Sequence, residues 1–122
     1  MKKEKFHVLL ITNSIKDEYN LLGSYDKEKE LIEFYESNKL RSKITIDIKK
    51  HLLVKDNIDY KITLDLDIRN KTKGEIFLKK ENGIVNIEVE TKKFMLASNK
   101  LSMIYTIIDS NEEIVYEIGM GD

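Results

Sequence analysis

At 122 residues the chain has the size of one domain, 1–122, and enough length to bury a core. Lys+Arg 21 against Asp+Glu 22 leaves a net charge of -1, so no strong field draws nucleic acid or an anionic membrane surface. There is no cysteine, which excludes disulfides, thiolate metal sites and a cysteine nucleophile, and fits a cytoplasmic protein.

The first apolar run, Val8-Leu9-Leu10-Ile11, predicts a strand over 6–15. It is too short for a secretory leader or a membrane span, the latter needing about 20 apolar residues. Lys16-Asp17-Glu18 reads as a turn, and 19–25 as a second strand with a bulge or bend at Gly23. Residues 26–36 fit two patterns. Leu31, Phe34 and Tyr35 have helical spacing behind an Asp26 cap, whereas Leu31, Glu33 and Tyr35 share one face of a strand. Strands follow over 42–50, with Ile44, Ile46 and Ile48 inward, and over 51–55, before a turn at Asp56-Asn57.

A meander of 60–68, 74–78 and 84–91 comes next, its last turn marked by Asn82-Gly83. Residues 92–96 extend it as far as a turn at 97–99. Two more strands, 100–109 and 113–118, flank a hairpin loop, and 119–122 should fray. Nine or ten short strands with short connections predict an all-β protein. Closure removes exposed edges, so the fold class is a closed or nearly closed antiparallel up-and-down barrel of eight to ten strands. The core predicted from alternation is Ile44, Ile46, Ile62, Leu64, Leu66, Ile76, Leu78, Val85, Ile87, Val89, Leu101, Met103, Tyr105, Ile114 and Tyr116.

The order of motifs resembles the YwiB-like family of uncharacterised bacterial proteins, which have a calycin-like β-barrel. The matching residues are Gly23-Ser24-Tyr25-Asp26, then Leu31, Tyr35 and Glu36, then Ser42-Lys43-Ile44-Thr45-Ile46 and 74–76. The run from Ile84 to Thr91 and Leu101-Ser102-Met103-Ile104-Tyr105 complete the match, which spans most of the chain. The resemblance implies that 31–36 is a strand. It brings no catalytic residues, and the Gly-x-Trp start of lipocalins is missing here.

His7 and His51, the two histidines, lack the spacing of a metal motif and read as surface or half-buried residues. Asp47, Asp65, Asp67, Glu88, Glu90 and Glu117 lie on polar strand faces. In register they would gather around a hard cation; spread out, they would face lysines such as Lys43 and Lys92. No cofactor motif is present, and no basic stripe accompanies the aromatics.

Two functions compete. The first is binding of a small apolar or amphipathic molecule at the barrel mouth, by Tyr25, Tyr35, Tyr105 and Tyr116, over an interior otherwise filled by large side chains. The second is a non-catalytic interaction module acting as a homodimer through Ile104, Ile108 and Val115. Enzymatic activity ranks below both, because no nucleophile–base pair stands out.

Overall fold

A computed structural model describes residues 3–36 and 40–121. All of its regular structure is strand: β1 (Lys3–Thr12), β2 (Ile15–Asp26), β3 (Leu31–Tyr35), β4 (Lys43–Asp47), β5 (Leu52–Asp56), β6 (Tyr60–Asp65), β7 (Thr72–Leu78), β8 (Gly83–Ala97), β9 (Lys100–Ile107) and β10 (Glu112–Met120). Each strand pairs antiparallel with the next in sequence, and β1 pairs with β10, so the ten strands close into an up-and-down barrel. Closure leaves no unpaired edge to recruit a foreign strand.

Turn chemistry explains where the first hairpin reverses. Asn13 and Ser14 both take positive φ, 48° and 73°, which a two-residue hairpin turn of matching twist requires. The turn therefore lies ahead of Lys16-Asp17-Glu18, which are strand residues of β2; they are polar because both faces meet solvent at the rim. Ser98 and Asn99, at φ 51° and 60°, make the same kind of turn between β8 and β9.

Residues 26–36 are a turn and a strand rather than a helix. The Asp26 carboxylate accepts from the Lys29 amide at 3.1 Å, and β3 then pairs with β2 and β4. Residues 31–35 thus behave as the YwiB-like resemblance implies. Their phase is the reverse of the strand pattern read from Leu31 and Tyr35: Ile32 and Phe34 are buried, and Tyr35 is 52% exposed.

Gly23 is no bulge. A Cβ there would lie 2.2 Å from Phe6 Cε2, so the glycine exists to let that ring lie across the strand. The irregularity falls instead in β8, between Thr91 and Lys93, within its pairing with β9.

The C-terminal segment is not frayed through Met120. Met120 pairs with Phe6 and is buried, and the Gly121 amide donates to the Lys5 carbonyl at 2.8 Å. Asp122 lies outside the described residues.

Most of the predicted core is inside: Ile44, Ile46, Leu64, Leu66, Ile87, Val89, Leu101, Met103, Tyr105 and Tyr116 are buried, with Ile62, Ile76 and Ile114 packed against them. Val85 is a correction, at 44% exposed, because the first residues of β8 run out towards solvent. Leu78 is only half-buried. Phe6, Val8, Ile32, Phe34, Leu53, Ile118 and Met120 complete the core.

Candidate functional site

An eight-stranded barrel is just wide enough for side chains to fill it. With ten strands the interior has spare room. A cavity of about 250 Å³ opens at the end that carries the connections after β1, β3, β5, β7 and β9. The interior is therefore not filled throughout, as the large inward residues had suggested. Its walls are mainly apolar, from Leu10, Ile44, Leu53, Ile62, Leu64, Ile107 and Ile114. The rim at this end exposes further apolar side chains, with Ile15 at 71%, Ile58 at 80% and Ile84 at 59%.

Polar groups enter this apolar space by strand phase. On β3, Ile32 and Phe34 point inward, and Glu36 continues that phase just past the strand end. The Glu36 amide donates to the Ser42 carbonyl at 2.9 Å, and its side chain is 3% exposed. Lys55 faces Ile44 on one side and Ile62 on the other, so it projects into the barrel.

The two meet: Lys55 Nζ lies 3.1 Å from Glu36 Oε1. The Tyr116 hydroxyl donates to Glu36 Oε2 at 2.8 Å, and the Tyr19 hydroxyl does so at 3.4 Å. A buried carboxylate is costly unless charge and hydrogen bonds compensate it, and these three groups do so.

The tyrosines of this cluster remain donors. Burial, then the Glu36 charge, raises the pKa of Tyr19, Tyr105 and Tyr116 above that of a free phenol. Tyr105 is buried in the cavity wall, and its hydroxyl forms no hydrogen bond among the described residues. Thr91, its partner in the register, buries an Oγ1 that also lacks a partner.

A second network pins the mouth. Asn57 Nδ2 donates to the buried Ser42 Oγ at 2.9 Å, and Asn57 Oδ1 accepts the Asp59 and Tyr60 amides, both at 2.9 Å. The side chain of Asn57 thereby ties the connection after β5 to the residue just ahead of β4.

The four predicted ligand tyrosines do not form one pocket. Tyr105 and Tyr116 line the cavity. Tyr25 faces inward at the opposite end of β2, and Tyr35 lies on the outer surface. Glu36 and Lys55, which supply the charge of the site, were missed. The available signal was two-residue spacing: Lys55 follows Leu53, and Glu36 follows Phe34.

The other candidates are scattered. Among the described residues no three His, Asp or Glu side chains come together as metal ligands. Two of the six acids face bases: Glu117 lies 2.7 Å from Lys100, and Asp67, past the end of β6, lies 2.9 Å from Arg69. Ile104 and Val115 are cross-strand neighbours on the outer face, each only partly exposed, and Ile108 lies past the end of β9. His51 stacks on Phe94 at 4.4 Å.

His7 sits on the outer face between Asn20 Oδ1 and Glu18 Oε1, each 2.8 Å from a ring nitrogen. Only the imidazolium donates to both oxygens. The bond to Asn20 first, and that to Glu18 second, raise the His7 pKa above its ordinary 6.5. A raised folded pKa means a contribution to stability that is complete below the unfolded value and lost as pH climbs through the folded one. The urea midpoint should therefore fall as pH rises past the ordinary 6.5, and His7→Gln should flatten that dependence. A proton NMR titration placing His7 at or below 6.5 would contradict the geometry.

No protein-family model matches the chain, and no curated protein matches it in sequence. Among solved structures it is similar to the crystal structure of the ywiB protein from Bacillus subtilis, with a TM-score of 0.55 and 16% identity over 97% of this chain and 91% of that one. At that identity the likeness is one of fold, and the barrel is YwiB-like.

Proposed function

We propose that the chain belongs with the YwiB-like proteins and that its barrel binds a small apolar or amphipathic molecule through the open end. The cavity carries this reading: apolar walls lead inward from an apolar rim to Lys55 and the tyrosines. Small-molecule sites have this composition, a hydrophobic pocket with few polar groups that fix orientation. The volume lies just below the roughly 300–1,000 Å³ of typical ligand pockets, so the ligand is small.

Native mass spectrometry of gently purified protein tests the reading. The expected spectrum shows a stoichiometric mass above the bare 14.3 kDa, lost on denaturation and absent from Ile62→Trp, which fills the cavity. A bare chain that also gains no thermal stability from added amphiphiles would overturn the proposal.

A further inference from the structure

Two donors of the cavity are unspent, while the buried carboxylate beside them, Glu36, is already engaged. Lys55 carries three N–H groups, of which the Glu36 contact takes one. Tyr105, 4% exposed, keeps its hydroxyl proton, and no described residue accepts it. On the acceptor side, Glu36 Oε1 faces Lys55, while Oε2 takes Tyr116 and Tyr19. A donor that faces the cavity without a protein partner is open to an acceptor on a ligand.

Charge narrows the choice of acceptor. The Lys55 ammonium is already compensated by Glu36, and Glu112 places a second carboxylate on the cavity wall. A ligand carboxylate would enter beside both. A ligand ammonium seated beside Lys55 and Tyr105 would meet the lysine's like charge and bring donors to two groups that are donors themselves. A carbonyl oxygen brings two lone pairs and no charge.

We propose that the cavity selects an uncharged molecule whose carbonyl head, as in a ketone, ester or amide, accepts from Lys55 Nζ and the Tyr105 hydroxyl while a short apolar chain lies along Leu10, Ile62 and Ile114. This rests on the ligand-binding reading above and names the ligand class. Tyr116 and Tyr19 are positioning residues in it, because they hold Glu36, which in turn orients Lys55.

Isothermal titration with three probes of similar chain length, octan-2-one, octanoate and octylamine, tests the head-group assignment. The ketone should bind at least about tenfold tighter than either ion, the size of one charge-assisted hydrogen bond. Tyr105→Phe keeps shape and volume, and should weaken the ketone by about fivefold while leaving the fold intact. Lys55→Met should erase the ketone preference. Equal or tighter binding of octanoate or octylamine, or unchanged ketone affinity in Tyr105→Phe, would overturn the assignment and leave the cavity reading standing. Failure of all three probes, together with a bare native mass, would overturn both.

Discussion

Gly23→Ala is expected to destabilise the barrel by about 3 kcal/mol, the upper end of ordinary overpacking. Elsewhere in a strand this change is helpful or neutral, since alanine loses less backbone entropy on folding. Here the new methyl would lie 2.2 Å from Phe6 Cε2 and 2.3 Å from Cδ2. The ring has nowhere to go: it is 1% exposed and packs edge-on against Phe34 at 6.1 Å. Phe6 also pairs with Leu21 and Met120, so shifting it disturbs the seam where β1 closes the barrel on both sides. A urea titration checks the loss. Adding Phe6→Leu to Gly23→Ala should cost less than the two single changes summed, because the smaller side chain vacates the space the methyl needs. An unchanged midpoint in Gly23→Ala would mean that the Phe6 ring does not cover this glycine.

Lys55→Met should cost a similar amount, about 3 kcal/mol, the low end for breaking a buried ion pair. The low end applies because the Lys55 side chain is 27% exposed, whereas Glu36, 3% exposed, loses the cation that compensates it inside the barrel. Methionine nearly preserves the volume and apolar stem of lysine, so the change isolates the ammonium. Pairing it with Glu36→Gln should recover much of the loss, since an amide can still accept from Tyr116 without a buried charge. The comparison of single and double variants by denaturant midpoint decides the point. Wild-type stability in Lys55→Met alone would show that the ion pair contributes nothing.

The outer face should behave differently. Lys43 and Glu33, 3.0 Å apart, and Lys92 and Glu113, also 3.0 Å apart, are exposed pairs of the kind that contributes little. The contrast with Lys55–Glu36 is one of burial, not of distance.

Local chemistry in the chain was enough to predict an antiparallel barrel, closed or nearly so, of about eight to ten strands, though it left residues 26–36 between helix and strand. Alternation such as Ile44, Ile46 and Val85, Ile87, Val89 needs no tertiary information to read as strand, and short connections force neighbours to pair. It was not enough to specify phase where both faces carry apolar residues. In β3 either Leu31 and Tyr35 or Ile32 and Phe34 satisfies a period of two, and a one-residue slip exchanges every side chain. The packing of β2 and β4 on either side decided it, turning Tyr35 outward and carrying Glu36 in.

The same holds for the charged centre of the cavity. Glu36 and Lys55 look like two more surface charges in a chain that is 35% charged. The pairing of β3, β4 and β5 sets them 3.1 Å apart, and closure of the barrel brings Tyr116 from β10 onto Glu36. A charge is stable inside only with its partner, and that partner lies across an intervening strand, β4. Secondary structure was thus legible in local alternation and turn residues, whereas the site arose from contacts between strands that are not consecutive, which strand pairing and closure of the barrel bring together.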